Sequence, residues 1–368
     1  MENQCIYGCA HGVIGLDFGS TYSAAAVLLP SVDGYSTRNM VFFRKFPTSL
    51  HVIHGENDVE LQFDPVDRVM LRKDRLCHLK ALLMNQTNPR NGDNRMVNSF
   101  YSSWSGLDLP DEDVVVAKFL KGLFEKALGV ARGLDAWHDR LRPAITITYP
   151  ISWSPEELSM FRSAVRSAGI ADHACRTCRV RYITEHRAVV TTMQHEHHNV
   201  LAELNSDSMI VADFGGMTDD AAVVPYPDSI PLRYPEEEEL ELLDRRMLHN
   251  SSYTGSMSAD AEFRALLLQK GTLKQIFDKS AEAKASLIEA LFQQAASLQH
   301  NVKCIVLTGG FSLNLRLEAQ VKKKLRERLQ GDCPVFLETF DRRLAVCTGA
   351  VLWRLPHLLR RLIDSQDA

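Results

Sequence analysis

Apolar positions along this chain come in two forms, short unbroken runs ended by Gly or Pro and longer stretches with a three-to-four-residue period. The two forms alternate, which predicts strands and helices in turn and an α/β protein. A run from Ile14, I-G-L-D-F-G-S-T-Y-S-A-A-A-V-L, reads as strand, tight Gly turn, strand. About 200 residues later a near copy begins at Ile210, I-V-A-D-F-G-G-M-T-D-D-A-A-V-V; with one residue of slack the two share D-F-G, a Thr and an Ala-Ala-Val tail. Further strands are predicted at 40–46, 144–149, 180–184 and 304–307. A helix is predicted at 111–128, opened by Pro110-Asp111-Glu112. Ser154-Pro155-Glu156-Glu157 opens another, which stops at Gly169. Residues 258–299 read as helix broken near Gly271, and from Arg343 the pattern is one amphipathic helix kinked at Pro356.

Between these elements the pattern weakens. Residues 51–104 are mixed and polar, with a helical signal only at 68–84. The polar stretch 199–207 is the expected boundary between two lobes, 1–204 and 205–368. Residues 225–235 hold four prolines and read as a loop, the acidic run 236–239 as the solvated first turn of a helix, and 250–258 as unstructured.

Composition narrows the class. A length of 368 residues fits two domains or one bilobal unit with ample core. A net charge of -4 with 24% charged residues advertises neither nucleic acid nor an anionic membrane as partner. The first residues carry Glu2 and no apolar stretch of the secretory kind, and no apolar run reaches the roughly 20 residues of a membrane span. Eight scattered cysteines, several inside apolar patterns, suit reduced thiols in the cytoplasm.

The duplicated turns carry the candidate chemistry. An acid at a strand end, followed by Gly and a hydroxyl, can hold a phosphate and its metal. Gly19, Ser20 and Thr21 supply this in the first copy, and Gly215, Gly216 and Thr218 in the second. Asp17 and Asp213 would then face each other across a cleft and hold Mg2+ through its waters. The plainer reading is two ordinary hairpins whose Asp residues cap their own turns. A protein-kinase reading of D-F-G fails, because no H-R-D loop accompanies it. Cys175 and Cys178, with His173 and nearby His195, His197 and His198, could begin a zinc site, but a loop CxxC alone supplies two of the four ligands needed. The basic stretch 322–328 reads as the wet face of a helix.

Together these residues resemble the actin, sugar kinase and heat-shock protein 70 superfamily. V-I-G-L-D-F-G-S-T-Y-S is similar to its first phosphate motif, V-A-D-F-G-G-M-T-D-D to the second, and C-I-V-L-T-G-G-F-S-L-N-L-R-L from Cys304 to the adenosine motif. A-I-T-I-T-Y-P-I-S-W-S-P-E-E-L from Ala144 and Y-I-T-E-H-R-A-V-V resemble the connecting segment of the heat-shock 70 chaperones, and the G-G-F form resembles divergent, chaperone-like fungal members. The resemblance implies a two-lobed actin-like, ribonuclease H-like ATPase fold with a duplicated β-hairpin phosphate clamp and a trimmed second lobe. It implies MgATP or MgADP as ligand, an unidentified protein partner that reads lobe closure, and slow or absent hydrolysis.

Residue by residue, it makes Asp17 and Asp213 the metal-facing acids, and Thr21, Tyr22 and Thr218 neighbours of phosphate or the attacking water. Glu185 and Asp220 would position water or metal, and Gly309, Gly310 and Phe311 would lie against adenosine. The catalytic Lys has no clear match; Lys80 is a candidate, with a snorkelling surface Lys as the plainer reading. Met217 stands where the family has a third Gly, able to crowd the phosphates or to point away, and His186 and Arg187 replace its Pro-Thr. The interval from Asp213 to Gly309, about 95 residues, is short for the family. The expectation is a stand-alone nucleotide-binding domain without a peptide-binding domain. The alternative is a pseudo-ATPase interaction module that no longer binds nucleotide.

Overall fold

A computed structural model of the chain describes residues 12–30, 39–54, 59–63, 75–83, 110–137, 141–174, 179–225, 247–252, 273–339, 341–342 and 344–355. They fall into two compact units, one drawn from 1–149, 153–183 and 350–368, the other from 150–152 and 184–349. Both are mixed α/β, as the alternating pattern predicts.

The first unit runs through strands β1 (Val13–Asp17), β2 (Tyr22–Leu28), β3 (Val41–Pro47), β4 (Ser49–His54), β5 (Val59–Phe63) and β6 (Arg75–Cys77), and then a 3-10 turn at Leu79–Leu83. Helix α1 (Glu112–Arg132), strand β7 (Ala144–Tyr149), helices α2 (Pro155–Ser167) and α3 (Ile170–His173), and strand β8 (Val180–Thr184) follow. Its main sheet has the order β3-β2-β1-β7-β8, with β1 antiparallel to β2 and parallel to β7. The helix α1 forms because apolar residues recur every three to four positions; Val116, Phe119, Leu120, Leu123, Phe124 and Ala127 are all buried. Phe18, just past β1, locks both helices to the sheet. Its ring stacks on Phe161 of α2 at 5.7 Å and lies 5.8 Å from Phe119 of α1. The predicted start of α2 is a capping box, with Glu157 N–H donating to Ser154 Oγ and Ser154 N–H donating to Glu157 Oε2.

The second unit holds α4 (Glu185–Leu204), β9 (Ser208–Phe214), β10 (Asp219–Pro225), β11 (His249–Ser252), α5 (Leu273–Ser297), β12 (Val302–Thr308), α6 (Leu315–Leu329), β13 (Val335–Leu337) and the first five residues of α7 (Ala345–Leu352), whose last three count with the first unit. Its sheet has the order β11-β10-β9-β12-β13, with β9 antiparallel to β10 and parallel to β12. The two sheets thus share one strand order. Along the chain each unit lays down three antiparallel strands, then helix, strand, helix and strand. The first unit adds a small sheet, β5-β4-β6, between β3 and α1 in sequence.

Several expectations are corrected. The helical signal at 68–84 becomes, in its described part, the short strand β6 and the 3-10 turn. The polar stretch 199–207, the expected lobe boundary, lies inside the second unit, where α4 continues to Leu204 and ends at Asn205, whose φ of 45° stops it. Residues 250–252 are an edge strand rather than unstructured chain. The helix α7 is buried nearly all round, from Ala345 to Leu352, rather than amphipathic. Residues 225–235 beyond Pro225, the acidic run 236–239, Gly271, Cys175, Cys178 and Pro356 lie outside the described residues. Among the described residues no helix is long and apolar enough to cross a membrane.

Candidate functional site

The two D-F-G turns are built alike. In each, the Phe is buried, Phe18 at 0% and Phe214 at 1% exposure, while the Asp before it is only partly buried. That alternation is what a strand end imposes. Gly19 is required by a close approach, since a Cβ there would lie 2.1 Å from the carbonyl oxygen of Tyr22. Gly215 repeats this with the residue three further on, 2.9 Å from the oxygen of Thr218, and its N–H donates to that same oxygen. Asp17 pairs with Ala24 and Asp213 with Asp220, so the two hairpins have the same length. The slack suggested by the shared Thr therefore vanishes. Thr21 corresponds to Met217, and Tyr22 to Thr218. Met217 is 1% exposed and lies outside the left-handed region, so a side chain is accommodated there without backbone strain.

In the first unit the turn is held from β3 and β7. Thr48 N–H donates to Thr21 O at 2.9 Å, and the hydroxyls of Ser23 and Thr48 share a 2.8 Å hydrogen bond. Thr148 donates to Asp17 Oδ1 at 3.3 Å. The Thr21 hydroxyl oxygen is buried with no hydrogen-bond partner among the described residues, an arrangement that a ligand or water would relieve. Tyr22 is 42% exposed. Lys80 is buried rather than snorkelling, its ammonium 5.8 Å from the centre of the Trp153 ring.

The second unit brings together Asp213, Asp220, Thr218 and Gly309. Asp220 lies directly opposite Asp213 but is committed to the fold. Thr218 donates to its Oδ2 at 2.7 Å and Ser251 of β11 to its Oδ1 at 2.6 Å. Gly309 has a φ of 84°, and a Cβ on it would lie 2.1 Å from Asp213 Oδ1. The Gly-Gly loop after β12 therefore abuts the Asp213 carboxylate, as parallel pairing of Thr308 with Asp213 requires. Among the described residues, its chain neighbours and own helical turn aside, no atom lies within 4 Å of where a Gly310 side chain would start. The side chain of Phe311 is outside the described residues.

Glu185 opens α4, buried at 6% exposure at the positive end of the helix dipole, where an acid is favoured. His186 beside it is wholly buried, and one ring nitrogen lies 3.2 Å from the Asp220 carbonyl oxygen. Burial pulls the His186 imidazole below its ordinary value of 6.5, against the raising influence of Asp220 and Glu185. A group whose folded pKa is depressed stabilises fully above its unfolded value and loses that contribution as pH falls. Unfolding free energy should therefore drop by up to about 1.4 kcal/mol per pH unit below about 6.5. Denaturant titrations from pH 7 to 5 on the wild type and His186→Gln test this; an unchanged slope in the variant would remove His186 as the cause.

Sequence reasoning missed Thr148, Thr48 and Ser251, whose supporting hydroxyls come from other elements, and the buried pair Lys284–Asp219 beside the second turn. For Lys284 a signal existed. Its position falls on the stripe Ala281, Ala285, Ile288, Leu291, which faces the core. Among the described residues no group of three His, Cys, Asp or Glu side chains is arranged to hold a metal, so any magnesium here would keep most of its waters. Burial pushes the Cys304 thiol up to about 12, which makes it inert. No protein-family model matches the chain, and no curated protein matches it.

Proposed function

We propose that this chain is a nucleotide-binding domain of the heat-shock protein 70 type, with the two-lobed actin-like fold, that binds MgATP through its two D-F-G turns and hydrolyses it slowly or not at all. The observation that carries the reading is the repeat. The same strand order is used twice, and the same Asp-Phe-Gly turn sits between the first and second strand each time. Two features fit a phosphate ligand. The buried Thr21 hydroxyl lacks a partner, and the backbone at Gly310 is open to close approach. Asp17 and Asp213 would hold the magnesium ion, which when bound supplies positive charge against the phosphates. Thr21 and the backbone N–H groups of Gly216 and Gly310 would bind phosphate or sugar oxygens, while the Gly215 N–H is spent on closing its turn, and Glu185 would hold a water.

A second reading, a pseudo-ATPase that serves a protein partner as an interaction module, is favoured by Asp220. Both its carboxylate oxygens already accept hydrogen bonds from Thr218 and Ser251, which ties this acid to the turn and the edge strand and leaves each oxygen less capacity to orient a water. Thermal unfolding with and without MgATP, on the wild type and Asp213→Asn, separates the readings. Ligand at 100 times its dissociation constant adds about 2.7 kcal/mol, a shift of several degrees at roughly 2–4 °C per kcal/mol. We expect the wild type to show it and the variant to lose it. No shift at millimolar MgATP in well-folded wild type would leave the pseudo-ATPase.

A further inference from the structure

The first unit carries a small cavity unrelated to either turn. It lies where α1 ends and β7 begins, with a volume of about 110 Å3, and Arg132, Trp137, Leu141, Arg142, Pro143 and His173 line it. Val13 pairs with Ala144, so this wall sits at the opposite end of β1 from Asp17, about 13 Å along the strand at 3.3 Å per residue. Two arginines and a histidine thus border one space, and among the described residues no Asp or Glu lines it. Among the described residues neither arginine has a carboxylate partner. His173 is fixed from behind, its ring 5.3 Å from Phe124, and the Trp137 backbone is pinned by donation to Leu134 O at 2.9 Å.

The bland account of Arg132 is that it complements the negative end of the α1 dipole. That does not extend to Arg142 or His173, which come from two other segments and converge on the same space. Cationic groups gathered with no counter-charge among the described lining residues repel each other, and an anion between them relieves the repulsion. Arginine presents a planar fork suited to phosphate oxygens. Donors from three segments suit a tetrahedral oxyanion better than a flat carboxylate, which one fork alone would satisfy.

We propose that this cavity is an oxyanion site that takes a phosphate group, either free or carried on a phosphorylated side chain. The site is independent of the nucleotide reading. Isothermal titration of the full chain with inorganic phosphate, with a phosphoserine peptide and its unphosphorylated form, and with acetate tests it. Binding of phosphate or phosphopeptide should weaken about tenfold or more in Arg142→Ala and in Arg132→Ala, and be partly restored in Arg142→Lys. It should be unchanged in Asp213→Asn, which separates this site from the turns. Both arginines are exposed, so the fold tolerates their loss. Preference for free phosphate or for the phosphopeptide identifies the source. Acetate binding as tightly as phosphate, binding indifferent to both arginines, or no binding of either phosphate form would overturn the proposal.

Discussion

Gly349→Ala should prevent stable folding of the second unit. A Cβ on Gly349, in α7, would lie 1.7 Å from the carbonyl oxygen of Ala188 in α4 and 2.4 Å from its carbonyl carbon. Both atoms belong to backbone, so no side-chain rotation relieves the overlap. The helices cannot simply separate, since Thr192 of α4 donates to Ala345 O at 2.7 Å and α7 is packed on nearly every side. We expect a loss of more than about 4 kcal/mol, a large part of the 5–15 kcal/mol that holds a typical domain together. Gly129→Ala is the matched control. It lies inside α1 with no atom within 4 Å of its Cβ position, and there Ala should stabilise by about 0.5–1 kcal/mol. Denaturant unfolding followed by circular dichroism compares the two, and equal stability would refute the close contact.

The second large effect is expected at Lys284. Its side chain and that of Asp219 are both 0% exposed and directly ion-paired, and the ammonium lies 5.0 Å from the centre of the Phe214 ring. Burial pulls the Lys284 amine below its ordinary value, while Asp219 holds it up. Lys284→Met leaves the Asp219 charge buried without its cation, which should cost about 3–5 kcal/mol. Lys284→Met combined with Asp219→Asn should recover much of that loss, because a buried pair replaced as a whole is far less destabilising than one broken. The double-mutant cycle is read from urea midpoints; additive losses would mean that the two groups act separately. Because Asp219 and Phe214 flank the second turn, the single variant should also lose any response to MgATP that the wild type shows.

What could be read in advance follows from how local each signal is. The two hairpins, the capped start of α2 and the strand β7 were legible because their turn residues and apolar runs lie within a few positions of one another. The small sheet was not, since β4 to β6 carry His, Gln and Glu on their outer positions; only the alternation of buried Leu50 and Val52 with exposed Ile53 betrays it. Helix α4 was hidden by its cluster of histidines and a kink at His197. At the site, the acids and glycines of the turns were visible, but what neutralises them was not. Ser251 reaches Asp220 from 31 residues away, and Lys284 reaches Asp219 from 65. Such partners are set by tertiary packing, which a single sequence does not display.

Equal hairpin length gives the two halves of the chain an unequal inheritance. Because the turns match residue for residue and each is anchored by its glycine, Gly19 or Gly215, the three positions that follow, 20–22 against 216–218, can differ without changing the hairpin length. They have done so. The first turn keeps a hydroxyl, on Thr21, that no described residue satisfies, whereas the second has Met217 in that place and ties its own hydroxyl, on Thr218, to Asp220. The hydroxyl of the second turn is thus spent on bracing its own sheet edge, a use the first turn does not make of its own.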